Sequence, residues 1–170
     1  KIPFVGEHAY VKYQGQKVTQ IEVSTAEPYV EFGIYADQEN GFEVGSATAS
    51  SGKLNRGGDI FILSDFEEDV TIHYQTQYMT MRVDFELLYS ESLETPQYVT
   101  WGQCAVEPKA TWTGYHIEGW YYDRAYTMRY DFSAPVKENL TLYGKWAVNV
   151  YTVSFYDRGQ LYTTQQVNNG

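Results

Sequence analysis

The side chains that most often bind metals or attack substrates are few in this sequence and lie far apart. The histidines are His8, His73 and His116, and none stands at a metal-ligand spacing from another histidine or from Cys104, the single cysteine. A transition-metal site is therefore not expected. Cys104 cannot form an internal disulfide, and because no histidine lies near it in the sequence, we interpret it as a buried, unreactive thiol.

An acidic cluster could in principle supply oxygen ligands to calcium. It consists of Asp65, Glu67, Glu68 and Asp69, but the spacing lacks the alternating ligands of an EF-hand loop, so a solvated turn is the preferred interpretation. The sequence also has no P-loop, no Rossmann fingerprint and no Gly-x-Ser-x-Gly motif. We therefore predict no catalytic residues, no cofactor and no metal, and a protein that is not an enzyme.

Aromatic side chains are the feature that points to binding. They make up 17% of the 170 residues, more than one small core is expected to hold. Rings at the surface could bind a glycan or a protein, or could pack between adjacent modules of an array, and the second interpretation is preferred. Tyr130 is expected to be among these exposed rings. The candidates for ligand or inter-module contact are Trp101, Trp112, Tyr121, Tyr122 and Tyr126.

Charge and hydropathy exclude two classes of partner. The net charge of −10, with only 12 scattered Lys and Arg residues, argues against nucleic acid, which requires clustered cations. No stretch reaches the roughly 18 apolar residues that a membrane helix needs, so no membrane insertion is expected. The sequence begins at Lys1 without a methionine, which is compatible with the earlier removal of a leader peptide.

The elements that must position these side chains are short strands. Runs rich in Val, Ile, Tyr and Thr alternate with turn residues, and they predict strands over 8–13, 17–24, 29–35, 59–64 and 70–75. The small, polar and glycine-rich residues 45–58 are predicted to be a long surface loop. Strands at this spacing favour a β-sandwich for about the first eighty residues.

The clearest strand, 79–87, opens a unit that recurs later in the chain. Its apolar residues fall on one face, namely Met79, Met81, Val83, Phe85 and Leu87. Val83-Asp84-Phe85 is matched by Val153-Ser154-Phe155 at an offset of 70, and Val99-Thr100-Trp101-Gly102 by Val167-Asn168-Asn169-Gly170 at an offset of 68. The second copy thus reaches Gly170 after its first hairpin, and the sequence is expected to be a segment of a longer array.

Three motifs lie between the two copies of this hairpin. They are Glu107-Pro108 leading to Gly114-Tyr115-His116-Ile117-Glu118-Gly119-Trp120-Tyr121, then Asp131-Phe132-Ser133-Ala134-Pro135-Val136, then Leu140-Thr141-Leu142-Tyr143-Gly144-Lys145-Trp146. In order and spacing they closely resemble the Listeria-Bacteroides repeat of internalin-type bacterial surface proteins. Ile117 and Gly144 are mild departures from the family pattern. The acidic loop 90–94 stands where the family has a glycine-rich turn, so a longer, splayed first hairpin is expected.

The resemblance implies a β-grasp-like fold for the repeat and a surface location. The expected fold class is an all-β, sandwich-like N-terminal domain over 1–79, followed by a small β-grasp-like repeat module over 80–147. Residues 148–170 are expected to form the first hairpin of an incomplete second repeat. The expected function is that of a non-catalytic adhesion or spacer segment of an extracellular, cell-surface or secreted protein. Its expected partners are adjacent repeat modules and a host or cell-surface protein or glycan. A carbohydrate-binding accessory domain of a secreted protein is the alternative.

Overall fold

The computed structural model describes residues 1–24, 26–88 and 95–169. The chain divides into two compact units, Lys1–Met79 and Thr80–Gly170. The acidic loop 90–94, for which a splayed hairpin was expected, lies outside the described residues. Within the described ranges no helix is long and apolar enough to cross a lipid bilayer.

The first unit consists of two β-sheets and a short 3-10 turn at Gln38–Asn40. One sheet has the order β4-β1-β9-β6, formed by β1 (Ile2–Val5), β4 (Gln20–Ile21), β6 (Phe42–Ala49) and β9 (Ile72–Tyr78). The other has the order β3-β2-β5-β8-β7, formed by β2 (Ala9–Tyr13), β3 (Gln16–Val18), β5 (Tyr29–Ala36), β7 (Lys53–Gly57) and β8 (Ile60–Ser64). This confirms the all-β, sandwich-like architecture.

The core of the first unit contains side chains from both sheets. Alternate residues of β5 point inward, so that Val30, Phe32 and Ile34 are all buried. Phe4 on β1 meets the ring of Phe32 edge-on, with the ring centroids 5.0 Å apart. Apolar alternation on strands of both sheets therefore builds one shared core, as a sandwich requires.

The predicted surface loop over 45–58 is wrong, because this segment forms most of β6 and all of β7. The small side chains of β6 fit into the sheet because its partner strand β9 supplies larger buried side chains. For example, Ala47 lies opposite the buried Tyr74 of β9. The Arg56 guanidinium of β7 donates hydrogen bonds to the carbonyls of Val44 (2.8 Å) and Gly45 (3.0 Å) on β6. Composition alone does not reveal such pairing.

Other strand predictions differ from the structure at their ends. The predicted strand 17–24 is the separate strands β3 and β4, which belong to different sheets. Strand β1, which pairs with β4 and β9, was not predicted. The short length of these pieces explains both errors, because two to four residues carry too little alternation to mark a strand.

The second unit contains a mixed sheet of four strands in the order β11-β10-β13-β12. They are β10 (Thr80–Leu87), β11 (Gln97–Thr100), β12 (Tyr115–Tyr121) and β13 (Leu140–Val148). The two central strands run parallel, with Val83 opposite Leu140 and Phe85 opposite Leu142, and each is flanked by an antiparallel neighbour. This arrangement agrees with the β-grasp-like fold that the family resemblance implies.

The predicted inward face of β10 is confirmed, since Met81, Val83 and Phe85 are all buried. Phe85 packs against Trp120, which is 1% exposed and meets the Phe85 ring edge-on at 5.0 Å. Gly144 on β13 makes room for this ring, because a Cβ at that position would lie 3.1 Å from the indole of Trp120 and 2.2 Å from the Leu87 side chain. The departure from the family pattern at Gly144 thus accommodates the local packing.

A second hairpin follows β13 after the single residue Asn149. It comprises β14 (Val150–Asp157) and β15 (Gln160–Asn168), which form a two-stranded sheet of their own. All residues from 150 to 169 are exposed. The unpaired edge of this hairpin is expected to add to the preceding module or to a neighbouring chain, and among the described residues it pairs with no strand of the preceding sheet. The Asn149 N–H donates to the Gly114 carbonyl at 2.8 Å, so β14 begins beyond the last paired residues of β13.

Candidate functional site

The histidines and the acidic cluster do not converge on a common point. His8 stacks on Phe42, with ring centroids 4.1 Å apart, whereas the His116 Nδ1 lies 2.9 Å from the Asn149 Oδ1. In the acidic turn, Asp65 forms an ion pair with Lys53 at 2.7 Å, and Asp69 pairs with the N-terminal ammonium. The described residues contain no group of three or more His, Cys, Asp or Glu side chains that could hold a metal ion.

Cys104 is exposed, so the expectation of a buried thiol is wrong. Its Sγ donates a hydrogen bond to the Ser133 carbonyl at 3.3 Å, and its backbone forms an isolated bridge with Pro135. The residue therefore lies at the surface of the repeat, beside the Asp-Phe-x-x-Pro-Val segment.

The five candidate aromatic residues occupy different environments. Tyr121 is only 8% exposed and Tyr130 only 5%, so the expectation that these two rings are exposed is wrong. Both lie where the end of β12 folds back on the segment that follows it, since the Tyr130 N–H donates to the Trp120 carbonyl at 2.7 Å. They belong to the core of the repeat, and Tyr121 offers little surface to a ligand.

Tyr122 and Tyr126 lie on the loop that follows β12. Tyr122 is 42% exposed, and its ring meets Tyr130 edge-on at 5.3 Å. Tyr126 is half-buried, has a left-handed backbone (φ 57°) and packs edge-on against Tyr121 at 5.4 Å. Tyr122 is thus the candidate ring on this loop that presents the most surface to a partner.

The Asp123 carboxylate holds this loop together. It accepts backbone hydrogen bonds from Met128 at 2.9 Å and from Thr127 at 3.2 Å, and a further one from the Thr127 hydroxyl at 3.1 Å. These bonds, led by the one from the Met128 amide, lower the pKa of Asp123 below its ordinary value. A charged anchor of this kind gives the exposed Tyr122 a defined position.

Trp112 lies in an aromatic cluster beside the second hairpin. Its ring stacks on Tyr115 at 3.8 Å and meets Trp146 edge-on at 5.6 Å. Tyr115 pairs with Val148, the last residue of β13, and the next residue, Asn149, donates its N–H to the Gly114 carbonyl. The cluster therefore lies at the junction between β13, the last strand of the repeat sheet, and the hairpin that follows it.

Trp101 is half-buried in the turn that follows β11. The Lys137 ammonium lies 5.1 Å from the centre of its ring, a distance that permits a cation–π contact. The five candidates are thus divided between the end of β12, the loop after it, the junction at Asn149 and the turn after β11, and the structure does not assemble them into one site.

A second group of surface aromatics, in the first unit, was missed at the sequence level. Tyr10 and Tyr35 face each other across β2 and β5 with ring centroids 5.4 Å apart, and the Lys17 ammonium lies 4.0 Å from the centre of the Tyr10 ring. With Asp37 and Asp59 they line an open cleft. The sequence shows a tyrosine on each of two predicted strands. It does not show that these strands are neighbours, or the register that places the two rings opposite each other.

The repeat segment has relatives of known sequence. Residues 82–145 match the family model of the Listeria-Bacteroides repeat domain. A protein of Evansella cellulosilytica named "Putative Gly-rich membrane protein" is 33% identical over 111 residues, which are 64% of this chain and 12% of that protein. Another from the same organism, named "Putative membrane protein", is 49% identical over 47 residues, or 27% of this chain and 7% of that protein. The chain thus spans a small part of the length of these relatives.

The matched segment begins in β10 and ends in β13, so it covers the four-stranded sheet and the core around Trp120. The three motifs that carry the sequence resemblance lie within these bounds, except for Trp146, the last residue of the third motif. Residues 82–145 of this chain are therefore a Listeria-Bacteroides repeat.

Proposed function

We propose that the chain is a non-catalytic segment of an extracellular bacterial protein, attached to the cell surface or secreted, in which the repeat acts as an adhesion or spacer module. The observation that carries this proposal is the junction at Asn149. One residue separates the last strand of the repeat from a hairpin that resembles the repeat's own first hairpin. Units joined in this way form arrays in which each unit contacts mainly its neighbours.

The junction has the hydrogen bonds of a defined connection. The Asn149 N–H donates to Gly114, the Asn149 carbonyl accepts from the Asn169 N–H at 2.8 Å, and the Asn149 side chain contacts His116. Both ends of the hairpin therefore meet at Asn149, which is itself bonded to the Gly114 carbonyl of the repeat. The only residue between the two elements, Asn149, is hydrogen-bonded through its N–H and its carbonyl. Such a short connection favours a stiff spacer over a flexible tether.

The surface of the repeat supports a role in protein contact. Tyr122 is exposed on a loop that Asp123 anchors, and tyrosine is enriched at protein interfaces because its ring offers contact area at low entropic cost. The proposed partners are adjacent repeat modules, through the Trp112 cluster, and a protein or glycan of the host or of the cell surface.

Adhesion can be tested with beads that carry the purified chain. Coated beads are applied to cultured epithelial monolayers and to surfaces coated with extracellular matrix proteins, and retention under flow is compared with albumin-coated beads. The proposed adhesive role predicts retention that falls when Tyr122 is changed to Ala. The exposed Tyr162 in the second hairpin, also changed to Ala, is the matched control. Retention that neither variant reduces would contradict a role for the Tyr122 loop.

A glycan array and a thermal-shift screen with polysaccharides test the alternative, a carbohydrate-binding accessory domain. Saturable sugar binding that Trp112→Ala or Tyr122→Ala abolishes would replace the spacer proposal. The Tyr10–Tyr35 cleft gives this alternative a second place to act, because stacked rings beside carboxylates are a surface on which sugars dock. Sugar binding that is lost on changing Tyr35 to Ala, and retained in the Tyr122 variant, would assign it to the first unit.

A further inference from the structure

The two hairpins of the second unit share one strand register. In β10–β11, Met81 lies opposite Val99 and Val83 lies opposite Gln97. In β14–β15, Tyr151 lies opposite Val167 and Val153 lies opposite Gln165. These are the same pairs when the first strand is shifted by 70 residues and the second by 68, the offsets found in the sequence. A one-residue slip would have reversed the faces, so the agreement identifies equivalent positions.

Equivalent positions differ in exposure. Met81, Val83, Phe85 and Val99 are each 8% exposed or less. Their counterparts form what we term the hairpin face: Tyr151 (52% exposed), Val153 (40%), Phe155 (46%) and Val167 (39%). Contiguous exposed apolar surface is typical of an interaction site. A two-stranded hairpin on its own is also only marginally stable in water, so a partner that covers this face would stabilise it.

The first hairpin shows which chemistry covers such a face. Strand β13 pairs in parallel with β10, placing Leu140 opposite Val83 and Leu142 opposite Phe85, and β12 adds the Trp120 ring against Phe85. Among the described residues, β14 pairs with β15 alone, so its other edge has no strand partner. An equivalent cover would place one leucine opposite Val153 and a second opposite Phe155.

We propose that the hairpin face and the unpaired edge of β14 bind a further copy of the segment that covers β10–β11, a polypeptide with the chemistry of residues 103–148. This inference rests on the proposed role as a repeat module. A second copy of the present chain is a poorer occupant, because its own β13 is already paired between β10 and β12. For β13 of a second copy to pair with β14, the sheet of that copy would have to open.

The test extends the full chain with a second copy of residues 103–148 directly after Gly170, which corresponds to Gly102 in the alignment. Hydrogen exchange of residues 150–168 is compared in the extended and original chains at equal concentration, with sedimentation of both. We expect exchange in the extended chain to be slower by about tenfold or more, because the amides on the free edge of β14 gain strand partners.

Neighbouring residues on opposite faces of β14 provide the matched variants. In the extended chain, Val153→Asp should abolish the added protection, whereas Ser154→Asp should leave it in place, and residues 80–148 should stay protected in both. Equal effects of the two substitutions would overturn the proposal. So would a dimer of the original chain with a protected hairpin, because a second copy would then be the occupant.

A duplicated chain serves as the folding control. In it, residues 150–170 of the extended chain are replaced by a second copy of residues 80–102, so that the added segment follows the hairpin that it covers in the first repeat. This chain shows whether the added segment can fold in this position. If the duplicate is protected and the extended chain is not, the hairpin face is not a docking surface. If the hairpin exchanges rapidly in both the duplicated and the extended chains, the added segment does not cover a hairpin placed after Asn149. The proposal is then wrong as well. These outcomes are independent of the bead and glycan assays, which report on adhesion and sugar binding of the original chain.

Discussion

Replacing Trp120 with Ala should unfold the repeat more readily than any exposed aromatic substitution in the same sheet. The ring is 1% exposed, and truncating a buried Trp costs about 3–5 kcal/mol, because apolar contacts are lost and a cavity remains. The edge-on contact with Phe85 accounts for about 0.5–1.5 kcal/mol of pairing energy. Domains have free energies of unfolding of only about 5–15 kcal/mol, so a large part of the stability of the repeat would be lost.

Trp120→Phe separates packing from polarity. The Trp120 Nε1 is buried without a hydrogen-bond partner among the described residues, and such a group costs about 1–3 kcal/mol. Phenylalanine removes that group and keeps most of the ring. We therefore expect the Phe variant to lose less than half as much stability as the Ala variant.

The assay must report on the repeat alone, since the chain has two compact units. Urea unfolding followed by hydrogen exchange of peptides from residues 80–148 gives the free energy of unfolding, and peptides from residues 1–79 provide the internal reference. Tyr98→Ala on β11, where the side chain is 69% exposed, is the control and should cost less than about 1 kcal/mol. A Trp120→Ala loss as small as that of the control would refute the assignment of Trp120 to the core.

Three further substitutions test other contacts. Gly144→Ala should destabilise the repeat by about 1–3 kcal/mol through overpacking against Leu87, and Leu87→Val should recover part of the loss; an unchanged melting temperature would show that the site has spare room. Asp123→Asn should lower stability at neutral pH, because the lowered pKa of Asp123 means that the folded state favours the ionised form. This contribution is present above the ordinary carboxyl pKa and is lost as the pH falls through the lowered value. The difference in the free energy of unfolding between the two proteins should therefore narrow in urea titrations as the pH falls below the ordinary carboxyl pKa, and a constant difference would contradict the charge assignment. Arg56→Ala should speed hydrogen exchange across β6 and β7, whereas equal exchange would show that its bonds to Val44 and Gly45 contribute little.

The composition and alternation of the sequence determined the all-β class and the inward face of β10. Met81, Val83 and Phe85 could be placed because a strand has a period of two and apolar residues fill one side. The repeat could be recognised because its Gly, Trp and Pro residues stand at fixed spacings.

Tertiary structure alone decided which aromatic rings are buried and which strands pair. Tyr121 and Tyr122 are adjacent and carry the same side chain, yet one is 8% exposed and the other 42%, because the chain after β12 folds back over one face. Strand β6, which contains residues 45–49, depends likewise on a partner, β9, that is distant in sequence. Alternation specifies the two faces of a strand, but only the contacts of the folded chain decide which face is covered, since burial depends on non-local neighbours.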